Sequence, residues 1–149
     1  SLITGSSDGF VEVWHAASGA VRVDLDYQSR DEFMMHAAAV LCVDTSADGE
    51  LVASGAQDGS LKVWHFATGD CLARFDKAHG DGGVLAVRFV RDATQLVTAS
   101  HDHSLRLHGL RSRTTLRVMA EHTAFVNDVA VATDNADVAL SASADATVR

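Results

Sequence analysis

The chain of 149 residues is 47% hydrophobic and 21% charged, proportions that are typical of a folded domain with a core and that argue against disorder. Its net charge of −8 opposes direct contact with nucleic acid. The one concentration of basic residues, formed by Arg106, Arg111, Arg113 and Arg117, is interrupted by neutral residues. Two cysteines are too few for a disulfide framework, and no apolar run approaches the ~20 residues that cross a bilayer. These features predict a soluble, intracellular protein without a membrane partner.

Four copies of one sequence unit follow one another along the chain. They are LITGSSDGFVEVWHAASG (2–19), LVASGAQDGSLKVWHFATG (51–69), LVTASHDHSLRLHGLRSR (96–113) and LSASADATVR (140–149). The period, 50, 44 and 43 residues, suits a four-stranded unit and is measured between Asp8, Asp58, Asp102 and Asp145. Apolar and polar residues alternate inside the copies, as at Leu61, Lys62 and Val63, which is the spacing of a β-strand.

The second copy predicts four strands in chain order, at Val40–Thr45, Leu51–Ser54, Leu61–His65 and Cys71–Phe75. Short turn sequences rich in glycine and aspartate separate the strands and favour an antiparallel meander. Cys42 and Cys71 then lie three strand spacings apart, about 14 Å at ~4.8 Å each. Because a disulfide cannot bridge that distance, both cysteines are expected to be free thiols.

Polar residues recur at fixed offsets from the four aspartates. A hydroxyl stands four residues before each aspartate, a ring with an N–H six residues after the first three, and a histidine 22 or 23 residues before the last three. With the aspartates, the sets are Thr4, Asp8 and Trp14; His36, Ser54, Asp58 and Trp64; His79, Thr98, Asp102 and His108; and His122, Ser141 and Asp145. This pattern resembles the WD40 family over practically the whole chain.

The resemblance implies an all-β fold: part of a WD40-type β-propeller, with about three and a half four-stranded antiparallel blades of an expected seven. The blades are expected at about 1–25, 36–75, 79–119 and 122–149 of a single domain, 1–149. Each set is expected to form a structural hydrogen-bond chain, because an aspartate that caps a buried turn is costly without donors. Since the chain begins at a second strand and stops two residues before the fourth ring position, residues 1–149 alone are expected to aggregate or stay partly unfolded.

A histidine beside an aspartate and a serine also resembles a hydrolase triad. A catalytic site is normally built once, whereas this set recurs in the copies, and no nucleophile elbow or oxyanion loop accompanies it. The sequence therefore favours structure over catalysis and predicts no catalytic residue and no cofactor. A zinc site at His101, His103 and His108 is the less favoured alternative, since His108 belongs to a hydrogen-bond chain.

Several positions depart from the family pattern. Side chains replace the turn glycine in the later copies, at His103, Ala146 and Arg113, so these turns are expected to be looser. Family members that act as substrate adaptors of cullin ubiquitin ligases often carry Trp-Asp-x-Arg at the end of the third strand. The tetrapeptides that begin at Trp14 and Trp64 lack both charged residues, which leaves the adaptor as the second choice.

Within the family, five stretches are similar to the Smu-type WD40 splicing factors: GFVEVW (9–14), DLDYQSRDEFMM (24–35), AVLCV (39–43), GAQDGSLKVW (55–64) and LRLHGL (105–110). This similarity implies a nuclear, non-enzymatic protein-binding scaffold of the spliceosome that acts in pre-mRNA splicing. Its implied partners are spliceosomal proteins, including RED, and not nucleic acid or a small-molecule substrate.

Candidate partner-binding residues lie in the turns and in the insert that lengthens the first interval. The residues expected at one face of the propeller are Ser7, Gln57, His101 and Phe125, of which the aromatic Phe125 is the preferred anchor. The apolar triplet Phe33, Met34 and Met35 is expected either to form a docking surface or to pack into the core.

Overall fold

The computed structural model describes residues 1–29, 34–80, 82–90, 93–132 and 138–149. These residues form thirteen strands and one short helix, in the order β1 Leu2–Gly5, β2 Phe10–Trp14, α1 Asp26–Ser29, β3 Met34–Met35, β4 Val40–Thr45, β5 Leu51–Ala56, β6 Leu61–His65, β7 Cys71–Phe75, β8 Val84–Val90, β9 Gln95–Ser100, β10 Leu105–Gly109, β11 Thr114–Met119, β12 Val126–Val131 and β13 Ala139–Ser143. The all-β fold class is confirmed.

The strands form four antiparallel sheets, which we number 1 to 4 along the chain. Their strand orders are β1-β2-β3, β4-β5-β6-β7, β8-β9-β10-β11 and β12-β13. Sheet 2 is the predicted meander: three of its strands have the predicted bounds, and β5 continues two residues further, to Ala56. Cys42 in β4 and Cys71 in β7 lie on opposite edges of this sheet, and both are free thiols, as predicted.

The core consists of three apolar layers, each shared by two successive sheets. Alternate residues of one strand face the next sheet, which is why the sequence period of two produces this packing. Between sheets 1 and 2, Val11 and Val13 pack with Trp64. The second and third layers are built in the same way, around Leu61 with Leu96 and around Leu105 with Val126. The sheets therefore stack face to face, as the blades of a propeller do.

The turns of the later copies adopt the backbone conformation that glycine adopts in the earlier ones. Gly59 has φ +77°, and the corresponding His103 and Ala146 have φ +68° and +64°. The expectation of looser turns is therefore wrong. The turn is the same, and it carries a local conformational cost because a side chain disfavours left-handed φ.

Sheet 1 is irregular where the insert separates β2 from β3. Strand β3 pairs with β2 only at Phe10 and Val11, and Val21 makes an isolated bridge to Trp14. Between these two contacts, the side chain of Gln28 in α1 bonds the backbone of Val13, with its amide oxygen accepting from the N–H at 2.7 Å and its amide nitrogen donating to the carbonyl at 3.1 Å. On the side of β2 that faces away from β1, a side chain thus replaces part of the neighbouring strand.

Candidate functional site

The most complete hydrogen-bond set lies in sheet 3. His79 Nδ1 is 3.1 Å from a carboxylate oxygen of Asp102, and His79 Nε2 is 2.6 Å from the Thr98 hydroxyl. The same hydroxyl is 2.9 Å from Nε2 of His108, the ring that stands where the first two copies have tryptophan. One buried hydroxyl therefore joins two imidazoles on neighbouring strands, and the structure brings together all four residues of this set.

The set in sheet 4 has the same geometry. His122 Nδ1 lies 2.8 Å from the Asp145 carboxylate, and its Nε2 lies 2.8 Å from the Ser141 hydroxyl. Asp145 also accepts the backbone N–H of Thr123 at 3.1 Å. The loop before β12 is thereby fixed to the turn that follows β13.

The set in sheet 2 requires a correction. His36 Nε2 contacts the Ser54 hydroxyl at 2.7 Å, and Trp64 Nε1 donates to that hydroxyl at 2.8 Å, as expected. His36 Nδ1, however, contacts Ser60 at 2.9 Å, and Ser60 in turn bonds Asp58. The direct His36–Asp58 pair is therefore wrong, because the Ser60 hydroxyl stands between the two groups.

Sequence reasoning missed this second hydroxyl, although a signal for it exists. Ser60, Ser104 and Thr147 each stand two residues after the turn aspartate, and each lies 2.9–3.4 Å from the Nδ1 atom of its histidine. In the first copy, by contrast, the residue at this offset is Phe10. A hydroxyl at this offset could have been found by aligning the copies.

Sheet 1 holds the shortest set. Trp14 Nε1 donates to the Thr4 hydroxyl at 2.8 Å, and Ser6 donates to Asp8. Thr4, Asp8 and Asp58 are exposed, so the expectation that the aspartates cap buried turns is wrong for Asp8 and Asp58. The burial is greatest at the hydroxyls and imidazoles of sheets 2 to 4 rather than at the carboxylates.

Burial keeps the central imidazoles neutral. It lowers the pKa of His36 to about 4 and that of His108 to about 3. Burial also lowers the pKa of His79, and this outweighs the opposing effect of the Asp102 carboxylate. At neutral pH these rings are therefore uncharged, so His79 Nδ1–H donates to Asp102 and its Nε2 accepts from Thr98.

The turn carboxylates are ionised. Burial acts to raise the pKa of Asp102, but hydrogen bonds from Ser104 and the nearby His79 lower it on balance. In Asp145, the hydrogen bond from Thr147 is the largest cause of a lowered pKa. In sheet 3, the Asp102 anion accepts hydrogen bonds from the neutral imidazole of His79 and the hydroxyl of Ser104, and the half-buried guanidinium of Arg106 donates to it at 3.0 Å, so donors surround the carboxylate.

The hydroxyls that would serve as nucleophiles in a triad are closed to solvent. Ser54 and Thr98 are fully buried, and Ser141 is 4% exposed. Because no substrate atom can approach a hydroxyl enclosed in this way, the geometry favours structural support over catalysis. Among the described residues, no group of three histidine, cysteine or acidic side chains is arranged to hold a metal ion.

The turns before the aspartates lie at one edge of the sheets. The backbone N–H groups of Gln57, His101 and Ala144 donate to the carbonyls of Ala39, Gly83 and Phe125 at 2.9–3.1 Å, which ties each turn to the segment that precedes the first strand of a sheet. We call the exposed set Ser7, Gln57, His101 and Phe125 the turn edge. All four of its members are exposed.

Phe125 is the prominent apolar group of the turn edge. It is 47% exposed, and its ring lies edge-on to His101 with centroids 4.8 Å apart. His103 lies on it at 5.9 Å. Two imidazoles thus hold the phenyl ring in one orientation, which reduces the entropy that it loses when a partner binds.

The insert contributes less surface than the apolar triplet suggested. Met34 is fully buried in the layer between sheets 1 and 2, so its assignment to a docking surface is wrong. Met35 is 48% exposed, and its carbonyl accepts from Lys62 at 2.7 Å. Phe33 lies outside the described residues.

Face-to-face antiparallel sheets that repeat one hydrogen-bond set define a repeat protein of the propeller class. A family model described as "WD domain, G-beta repeat" matches residues 28–65, 69–108 and 113–149, which is more than half of the chain. The chain therefore belongs to the WD40 family, and the predicted partial propeller is confirmed. Repeats of this family generally mediate protein–protein interactions.

A curated relative gives a closer likeness. The chain is 54% identical over 78 residues to "WD40 repeat-containing protein smu1" of Dictyostelium discoideum, which confirms the similarity to the Smu type. The match covers 52% of this chain and 15% of that protein. Within the described residues, no helix is long and apolar enough to cross a membrane.

Proposed function

We propose that the chain is a non-enzymatic scaffold of the spliceosome that binds protein partners through the turn edge. The observation that carries the proposal is the exposed Phe125 ring, which two imidazoles contact on a framework whose buried side-chain polar atoms, among the described residues, all have hydrogen-bond partners. A large apolar side chain in a fixed orientation is the feature on which binding hot spots are built.

The role in pre-mRNA splicing, the nuclear location and the partner RED are supported by the similarity to the Smu type. Net charge supports protein rather than nucleic acid as the direct contact, since −8 repels phosphate. The blade bounds 1–25, 36–75, 79–119 and 122–149 are part of this proposal, as is the absence of catalysis.

The experiment is affinity capture from nuclear extract with the tagged protein at its natural length, compared with Phe125→Ala. Val118→Ala is the matched control, because Val118 is also an exposed apolar residue but lies on β11, away from the turn edge. We expect RED and other spliceosomal proteins with the wild type and the control, and a loss of at least one of them with Phe125→Ala.

Two results would contradict the proposal. Capture of cullin subunits in place of spliceosomal proteins would favour the substrate adaptor. An unchanged set of spliceosomal proteins with Phe125→Ala would leave the splicing role but remove the turn edge as the binding surface.

A further inference from the structure

Tyr27 fills a groove at the junction of sheets 1 and 2. Its hydroxyl donates to the carbonyl of Phe66 at 3.0 Å, and the residue is 4% exposed. The ring lies against the turn after β6, so close that a Cβ on Gly69 would be 2.6 Å from Tyr27 Cγ. The groove is thus occupied by a side chain of the insert itself.

The segment that carries Tyr27 is short, acidic and anchored at several points. It reads Asp-Leu-Asp-Tyr-Gln at 24–28 and ends in the single helical turn α1. Leu25 is buried in the same apolar layer as Tyr27, and Gln28 bonds the backbone of Val13. One helical turn with apolar anchors is therefore sufficient to close the groove between two sheets.

The junction of sheets 2 and 3 has an equivalent groove. The repeat offset of 44 residues places Leu110 where sheet 2 has Phe66 and Arg113 where it has Gly69. The backbone bonds correspond: Leu110 N–H donates to Thr94 at 3.1 Å, as Phe66 does to Glu50 at 2.8 Å. The turn N–H of Arg113 donates at 2.9 Å to Gly109, and that of Gly69 at 2.8 Å to His65.

This second groove is open. It has a volume of about 390 Å³, which lies in the range of ligand pockets, about 300–1,000 Å³. Its apolar walls include Leu51, Leu72 and Leu110, and Arg111 and Arg113 also line it. Leu72 is 42% exposed there, whereas Leu25 and Tyr27 at the first groove are buried.

The charge of the second groove is complementary to the segment that fills the first. In the described part of the chain, neither Arg111 nor Arg113 has a carboxylate within 4.0 Å, although the chain as a whole has a charge of −8. Arg113 also holds φ +55°, a conformation that glycine holds at 69. A groove residue that holds a costly backbone conformation, and whose charge has no ion pair with any described carboxylate, indicates a role in binding.

We propose that the groove between sheets 2 and 3 binds a short acidic segment of a partner protein, with a tyrosine or leucine as anchor in one helical turn. The anchor packs against Leu72 and Leu110, beside the Arg113 Cβ, and its flanking carboxylates meet Arg111 and Arg113. This site lies apart from the turn edge and does not depend on a role in splicing.

The test uses a synthetic capped peptide with the sequence of residues 24–29, labelled with a fluorophore, and the protein at its natural length. Fluorescence polarisation is expected to show saturable binding. Arg113→Ala, which removes the guanidinium and keeps the Cβ, should weaken binding about 2- to 5-fold, and Leu72→Glu should weaken it more than about 10-fold. Arg117→Ala is the matched control, because this exposed arginine lies on β11 outside the groove and should bind as wild type.

Two peptide variants separate the contributions of anchor and charge. The Tyr27→Ala peptide should lose about 10-fold in affinity, and the peptide with both aspartates changed to asparagine should lose its salt dependence. Absence of binding by wild-type protein at millimolar peptide would overturn the proposal. Equal affinities of wild type, Arg113→Ala and Leu72→Glu would overturn it as well, because the peptide would then bind elsewhere.

Discussion

Thr98→Val removes the hydroxyl that joins two buried imidazoles. Thr98 is fully buried, and its oxygen lies 2.6 Å from His79 Nε2 and 2.9 Å from His108 Nε2. Valine has nearly the same shape, so the layer between the sheets keeps its packing and only the two hydrogen bonds are lost. One imidazole then lacks its donor and the other lacks its acceptor.

An unsatisfied buried polar group costs about 1–3 kcal/mol, so the two together should lower the free energy of unfolding by about 2–6 kcal/mol. Urea unfolding followed by tryptophan fluorescence measures this change, and the slope with urea should stay constant if only stability has changed. Thr45→Val is the matched control, since Thr45 is an exposed strand residue and its change should stay within about 0.5 kcal/mol. A loss below 0.5 kcal/mol for Thr98→Val would refute the view that the hydroxyl braces the sheet.

Ala146→Gly should raise the free energy of unfolding by up to about 1 kcal/mol, because Ala146 holds φ +64° and is exposed; a thermal melt that does not rise would contradict this. Stability should fall as the pH drops from about 6.5 towards 4, since the unfolded histidines take up protons that His36 and His108, with a pKa of about 4 and 3, refuse while folded. A urea midpoint that is constant between pH 7 and pH 5 would argue against neutral buried rings. Iodoacetamide should label Cys71 in the native protein and Cys42 only after unfolding, because Cys71 is exposed whereas burial raises the pKa of Cys42 to about 12; peptide mass spectrometry would show the opposite order if the assignment of burial is wrong.

The repeat made the sheets predictable. Alternation and turn residues placed β4, β6 and β7 with their observed bounds, because a strand with one face in each apolar layer leaves a clear period of two. The residues of the hydrogen-bond sets could be named for the same reason, since the copies carry them at fixed offsets. The link through Ser60 was not predicted, because the choice between a direct contact and one hydroxyl in between depends on about 3 Å of side-chain placement.

The insert could not be predicted from the repeat. It occurs once, so no second copy indicates what Tyr27, Gln28 and Met34 do. They are buried because β2 has no full-length strand beside it on this side of sheet 1. The Gln28 side chain and the two-residue strand β3 bond to β2 instead. The left-handed φ of His103 and Arg113 could not be predicted either, because residues with a side chain disfavour that conformation and indicate an unstrained turn.

The most direct test of whether the recurring sets support the fold or perform chemistry is the melting temperature of Ser54→Ala. Ser54 would be the nucleophile of a triad in sheet 2, and in the structure it is the buried contact of both His36 and Trp64. A structural hydroxyl predicts a melting temperature lower by at least about 3 °C, the shift that roughly 1 kcal/mol produces. A melting temperature equal to that of the wild type would contradict the structural role.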